Sequence, residues 1–315
     1  MSTVFLGTSE FAAAVLERLA RSDAHRPALV LTRPDRPSGR GRRLTPPPVA
    51  ERARALGLPL AQPESVNAPE ARALIARAGR AAGEEPSGAH AAAEHVRRTL
   101  VVCAFGALIK EPLLSEHDIL NVHPSRLPRW RGAAPIERAI MAGDTHTGVS
   151  IMRLTAGLDS GPVCLAAREP IHPQDTYGSL AERLQRLGGE LLVRALDEAP
   201  PFVAQEQDGV SYAEKIGAAD RLLDPSRPAV ELERVVRALQ PHIGARAALA
   251  DGTLLGVQRA ALAQRSAPLG VSAGEGSLLL GCTPGTLELL VVKPAGGRAM
   301  EAAAYLRGHG PPGRS

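Results

Sequence analysis

Residues 4–19, VFLGTSEFAAAVLERL, decide the architecture. Val4, Phe5 and Leu6 form the short apolar run of a fully buried strand, Gly7 ends it, and the Ser9 hydroxyl is placed to cap a helix. Phe11, Val15 and Leu19 then recur at helical spacing. Strand, tight turn and helix open a doubly wound sheet, and the chain repeats the theme. Ala28 to Leu31 reads as a second strand, Leu58 to Ala61 as a short third, residues 68–78 as a helix and Leu100 to Phe105 as another buried strand. Gly148 to Leu154 and Val163 to Ala167 follow as strands. A long helix then carries Tyr177, Leu180, Leu184, Leu187 and Leu191 on one stripe. Short strands alternating with helices predict a mainly parallel α/β sheet. TRPDRPSGRGRRLTPPP, residues 32–48, is expected to be a long loop, and Gly79 to Arg98, poor in large apolar side chains, a surface insertion.

Beyond residue 205 the pattern changes, which divides the chain into an expected catalytic domain, 1–205, and a smaller domain, 206–315. Leu232, Val235, Val236 and Leu239 make one amphipathic helix that Pro241 ends. ARAALADGTLLGV then reads as a hairpin with Asp251-Gly252 at its tip, and GSLLLG and GTLELLVV continue the β pattern. The last third is thus a small β domain, a barrel or a sandwich.

Composition narrows the function classes. Hydrophobic residues at 44% and charged residues at 22% suit a globular chain, and a net charge of +4 permits a polyanionic partner without requiring one. Lysine occurs only at Lys110, Lys215 and Lys293, so 34 of the 37 basic residues are arginines. Against that bias only a dense arginine cluster is informative. Residues 33–43 hold one: Arg33, Arg36, Arg40, Arg42 and Arg43 against Asp35 alone. Cys103, Cys164 and Cys282 are widely spaced, which argues against a disulfide framework or a zinc site and fits the reducing cytoplasm. The N-terminus lacks the basic segment of a signal peptide, and no apolar run approaches the ~18 residues of a membrane helix. No metal site is expected from the dispersed histidines, and no G-x-G-x-x-G follows Leu6.

The chemistry concentrates in NVHPSRLPRWRGAAP, residues 121–135. It begins where a strand-like run ends, and ligands of doubly wound sheets bind beyond the carboxyl ends of the strands. Asn121 and His123 are two apart, so in extended chain they share a face, roughly 7 Å apart. An amide donor beside an imidazole can polarise a carbonyl and handle a proton. Pro124 and Pro128 stiffen the chain around Ser125, Arg126 and Leu127, whose backbone groups can read a flat heterocycle. Asp159 stands in the turn Gly157-Leu158-Asp159-Ser160-Gly161, where a carboxylate can orient an imidazole.

These residues resemble the folate-dependent formyltransferases, and among them the enzymes whose acceptor is an aminoacylated tRNA. The likeness rests on NVHPSRLPRWRGAAPIERAI and GDTHTGVSIMRLTAGLDSGPV, and extends through VFLGTSEFAA, TRPDRPSGRGRRLTPPPV, VVCAFGALI, SYAEKI and VKPAGGRAM to nearly the whole chain. It implies a Rossmann-like catalytic domain followed by an OB-like β-barrel, with catalysis at Asn121, His123 and Asp159. It further implies folate contacts at Ser125, Arg126, Leu127 and Pro128, and tRNA contacts at Arg40 and Arg42. Arg126 departs from the family's Ser-Leu-Leu-Pro loop, Pro124 replaces a small residue, and the 79–98 insertion is extra.

The expected reaction moves a formyl group from 10-formyltetrahydrofolate to the α-amine of methionine on charged initiator tRNA, without a metal, in a cytoplasmic monomer. Asn121 and His123 would donate to the developing oxyanion, while Asp159 orients His123 and helps carry the amine proton away. Three rivals compete: formylation of an amino sugar or another small amine, hydrolysis of the folate, and nucleic-acid binding by a chain with a dead catalytic site. Small acceptors need neither the arginine-rich loop nor the β domain, which favours tRNA.

Overall fold

A computed structural model describes residues 3–38, 43–78 and 98–309. They form two compact units, one made of the described residues within 1–131, 148–169 and 182–211, the other of those within 132–147, 170–181 and 212–315.

The first unit opens as its sequence predicts. Strand β1 (Thr3–Gly7) leads into α1 (Glu10–Ala20), whose first turn is capped by Ser9 accepting from the Ala12 N–H at 3.3 Å. Phe11, Val15, Leu16 and Leu19 of α1 are buried, each contributing about 1.5–3 kcal/mol relative to exposure. Next come β2 (Pro27–Leu31), the short antiparallel pair β3 (Arg36–Ser38) and β4 (Arg43–Thr45), α2 (Pro48–Ala55), β5 (Leu60–Ala61) and α3 (Pro69–Arg77). The expected long loop therefore contains a short antiparallel strand pair and runs straight into a helix. Three prolines in a row look hostile to helix, yet Pro47 is the N-cap of α2 and Pro48 its first residue, where no N–H is needed. Val49, Ala50 and Ala53 bury its inner face.

After β6 (Thr99–Cys103) and the short α4 (Leu113–Glu116), β7 (Asp118–His123) runs two residues beyond Asn121. Asn121 and His123 thus lie inside a strand, whose two-residue period puts them on one face. The short β8 (Arg131–Gly132), α5 (Pro135–Ala142), β9 (His146–Arg153), β10 (Val163–Pro170) and α6 (Tyr177–Glu198) follow, and β11 (Tyr212–Ala213) pairs with β8. The main sheet has the order β10-β9-β7-β6-β1-β2-β5. Pairings β5–β2, β2–β1, β1–β6 and β6–β7 are parallel, and β7–β9 is antiparallel. From β1 the chain builds outward through β2 and β5, then returns to the other side of β1 as β6. This reversal makes the Rossmann-like switch point, one strand from the tip of β7. Gly188 and Gly189 let α6 lie close to the sheet and to α1. A Cβ at Gly188 would meet Val122 Cγ1 at 3.0 Å, and one at Gly189 would meet Arg18 Cβ at 2.8 Å.

In the second unit, α7 (Ala229–Ala238) precedes β12 (Ala245–Ala248), β13 (Leu254–Ala263), β14 (Gly270–Gly274), β15 (Ser277–Gly281), β16 (Thr286–Lys293), β17 (Met300–Glu301) and α8 (Ala302–His309). The antiparallel sheet runs β12-β13-β16-β15-β14, with β17 on β16, and curls until β12 and β14 approach one another. This is the OB-like half-barrel expected, hairpin included. Leu232, Val235, Val236 and Leu239 pack on Val257, Leu278, Leu287 and Leu289 to form its core. Within the same unit Glu137 accepts from His242 at 2.9 Å, and that ring stacks on Tyr177 at 3.7 Å between centroids. Burial and the Glu137 carboxylate push the Tyr177 hydroxyl up to about 12.

Candidate active site

His123, the last residue of β7, is 4% exposed and held on both sides. Its Nε2 lies 2.8 Å from the Trp130 carbonyl oxygen, and its Nδ1 lies 3.7 Å from Asp159 Oδ2. A carbonyl oxygen only accepts, so Nε2 carries a proton, while Nδ1 faces the Asp159 carboxylate. Asn121 Nδ2 donates to the other oxygen of the same carboxylate at 3.4 Å. Both links are longer than an optimal hydrogen bond. The structure therefore brings Asn121, His123 and Asp159 together at the carboxyl end of the sheet. Asp159 reaches across from the turn between β9 and β10.

That turn is constrained. Asp159 has φ of +42°, an unusual value for a residue with a Cβ. Gly161 beside it passes so close to the Arg153 carbonyl oxygen that a Cβ there would overlap it. Gln205 donates through Nε2 to the carbonyls of Asp159 at 2.8 Å and Gly161 at 2.7 Å.

The loop after β7 is organised from within. Ser125 is fully buried, and its hydroxyl donates to the Arg129 carbonyl at 2.7 Å, closing the loop on itself. Ser150 of β9, also fully buried, donates to the Ser125 carbonyl at 2.9 Å and accepts from the Leu127 N–H at 3.1 Å. Leu127 and Pro128 are half-buried, whereas Arg126 is exposed. The neighbouring Arg129 guanidinium lies 4.4 Å from the centre of the Trp130 ring. Of the basic cluster, Arg40 and Arg42 lie outside the described residues. Arg33 donates to the Gly106 carbonyl at 2.6 Å, and Arg36 and Arg43 stand exposed on β3 and β4.

Other chemistries find no footing nearby. Cys103 ends β6 beside Gly7, but full burial raises its thiol above the ordinary range and keeps it from acting as a nucleophile. All three cysteines are free. Among the described residues no group of three His, Cys, Asp or Glu side chains is arranged to hold a metal ion. A cavity of about 580 Å³ opens near Thr3, Thr99 and Asp118, at the amino ends of β1, β6 and β7. It is at the wrong edge of the sheet to serve the Asn121–His123–Asp159 group.

Sequence reading missed Trp130 as a backbone acceptor, and with it Arg131, Ser150 and Gln205. Ser150 carried one faint signal, a lone hydroxyl within the apolar run GVSIMRL. Gln205 carried none.

Residues 1–196 match the family model described as formyl transferase, and residues 215–310 match the one described as formyl transferase, C-terminal domain. The methionyl-tRNA formyltransferase of Halorhodospira halophila is 42% identical over 314 residues, covering 97% of this chain and 95% of its own. The methionyl-tRNA formyltransferase structure from Clostridium thermocellum superposes with a TM-score of 0.58 at 12% identity, over 84% of this chain and 94% of that one. The structure of an N-formyltransferase from Helicobacter canadensis, in complex with folinic acid and dTDP-3-aminofucose, gives a TM-score of 0.60 at 14% identity, over 92% and 98%. The fold is thus shared between tRNA and sugar enzymes.

Proposed function

The chain belongs to the methionyl-tRNA formyltransferase family, and from that membership we propose that it formylates the α-amine of methionyl initiator tRNA with Asn121, His123 and Asp159 as its reacting groups. The observation that carries this reading is the meeting of those three side chains, 3.4 Å and 3.7 Å apart, at the carboxyl end of β7. The co-substrate 10-formyltetrahydrofolate supplies the formyl carbon and the leaving nitrogen. Loop 125–128, closed on itself and directly after His123, offers the carbonyls of Leu127 and Pro128 to its heterocycle, while Ser125 serves by shaping the loop.

A free α-amine of pKa about 7.7–8.0 leaves part of the acceptor neutral and nucleophilic near pH 7. Asn121 Nδ2 donates to the formyl oxygen as it gains charge, a contribution of about 3–4 kcal/mol for one well-placed donor. With Nε2 pinned to Trp130, His123 has no N–H to offer the formyl oxygen, so the donation expected of both residues falls to Asn121, and His123 receives the amine proton on Nδ1. Asp159 then faces the imidazolium and stabilises it, and Nδ1 returns the proton to the departing nitrogen. One C–N bond forms, one breaks, and the proton passes between the two nitrogens. The arginine cluster at 33–43, Arg40 and Arg42 foremost, takes the acceptor end of the tRNA. No described helix is long and apolar enough to cross a membrane, and a cytoplasmic monomer fits this reading.

The test is incubation with 10-formyltetrahydrofolate and charged initiator tRNA, against reactions holding a nucleotide-linked amino sugar or no acceptor. Formylmethionyl-tRNA is expected. Formate released equally without acceptor would identify a hydrolase, and a formylated sugar would identify the small-amine enzyme. His123→Ala should lower kcat by about a hundredfold or more while the folate KM changes little.

A further inference from the structure

The segment between the two matched domains, residues 197–214, crosses both loops that hold His123 and Asp159 in place. Val203 exchanges two backbone hydrogen bonds of 2.9 Å with Val163 at the start of β10. Gln205 then bonds the carbonyls of Asp159 and Gly161 at 2.8 Å and 2.7 Å. Six residues on, Ser211 accepts from the Trp130 N–H on its hydroxyl at 3.0 Å and from the Arg131 N–H on its carbonyl at 2.9 Å. Asp159 and Trp130, with φ of +42° and +65°, are two of the five residues other than glycine at positive φ among those described. Such backbones persist where the surroundings hold them, and the same strap holds both.

Gln205 is the pivot. Within 203–209 it alone is turned inward, its neighbours being exposed. Its Oε1 accepts from Arg131 Nε at 3.0 Å and Nη2 at 2.8 Å, and Arg131 is itself 7% exposed. A guanidinium can only donate, so the amide orientation is settled: oxygen toward Arg131, NH₂ toward the two carbonyls. One side chain thereby ties a buried cation to the turn that presents Asp159.

We infer that Gln205, oriented by Arg131, is a positioning residue that holds Asp159 against His123 and Asn121, making the interdomain strap part of the catalytic apparatus. This rests on the catalytic reading of Asp159 given above. A carboxylate 3.7 Å from the imidazole has little distance to lose. A displacement near 1 Å commonly costs catalysis about a hundredfold.

The test is a double-mutant cycle in the full chain, with 10-formyltetrahydrofolate and charged initiator tRNA as substrates and single-turnover rates for the slow variants. Gln205→Ala should lower kcat by roughly 10- to 100-fold. Both KM values should stay within about twofold, as expected for an effect confined to the transition state. Gln205→Glu keeps the acceptor for Arg131 but sets a carboxylate against two carbonyl oxygens, so it should lose at least as much. If Gln205→Ala fails to fold, Gln205→Glu carries the test alone. In an Asp159→Ala background either substitution should change the rate by less than about threefold, because its effect runs through a carboxylate already gone. Retention of kcat within threefold in the single variants would overturn the inference. So would an undiminished loss in the Asp159→Ala background, which would mean that Gln205 serves the fold at large. Full activity of Asp159→Ala itself would instead refute the catalytic reading of that residue, a result distinct from either.

Discussion

Ser150→Ala isolates the contribution of the loop that follows His123. Ser150 sits on β9 with no exposed surface, and its hydroxyl makes two of the bonds that shape residues 125–128. Removing it strands the Ser125 carbonyl, in a fully buried residue, and the Leu127 N–H, in a half-buried one. A buried polar group left unpaired costs about 1–3 kcal/mol. Leu127 can recover part of its loss from water, so a total of about 2 kcal/mol is expected. For a unit of roughly 200 residues that corresponds to a fall in Tm of about 4–8 °C. The bonds from His123 to Trp130 and from Gln205 to the Asp159 turn survive the change. The damage should therefore fall on binding, with KM for 10-formyltetrahydrofolate raised roughly tenfold and kcat at saturation lowered less than about threefold. Thermal unfolding and initial rates over a range of folate concentrations measure both quantities. Unchanged Tm with unchanged KM would show that the hydroxyl does not hold the loop. A collapse of kcat at constant KM would show that the loop sets the reacting groups and not the folate.

Arg126 is exposed, so Arg126→Leu should alter the folate KM by less than about threefold, and a change of tenfold or more in folate titrations would put the guanidinium in contact with the co-substrate. Replacing Arg40 and Arg42 together with Ala should raise KM for charged tRNA and flatten its salt dependence while leaving KM for the folate nearly constant. Equal losses for both substrates would assign the loop to active-site support. Asp220 is bonded to Arg138 at 2.7 Å and 3.1 Å, and that bond above all holds its carboxyl below the usual carboxylate range. A depressed folded value means that the pair stabilises fully above the unfolded carboxyl value of about 3.9 and loses its effect as pH falls through the folded one. Asp220→Asn should accordingly cost about 1 kcal/mol at pH 7, with the gap closing in denaturant titrations below about pH 4, and a gap independent of pH would refute the pairing.

Much of the first unit was legible because its signals are local. Val4 to Leu6, the Ser9 cap and the Phe11–Val15–Leu19 stripe lie within one short segment, and each states its own conformation. α2 was hidden by Pro46, Pro47 and Pro48, whose reading as the end of a long loop overrode the fact that proline suits the first residue of a helix. Asn121 and His123 were legible as a pair because strand geometry puts residues two apart on one face. Asp159 is 38 residues from Asn121, and no periodicity spans that separation, so its glycine-rich turn marked it as a presented carboxylate and only the resemblance joined it to the pair.

Ser150, Gln205 and Ser211 went unread for one physical reason. Ser150 works through the Ser125 carbonyl and the Leu127 N–H, Gln205 through the carbonyls of Asp159 and Gly161, and Ser211 through the N–H of Trp130. Each grips backbone, which every residue carries, so the gripped partner leaves no mark in the sequence. A reacting group must be of one chemical type to do its work, and type can be read. A holding group is recognised only by where it points. Gln205 shows the usable signature: an amide turned inward from an otherwise exposed segment, its orientation set by a buried arginine and its donors on two carbonyls of a left-handed turn. Polar side chains that break the exposure pattern of a linker are therefore where further positioning residues should be sought, before any residue of reactive type.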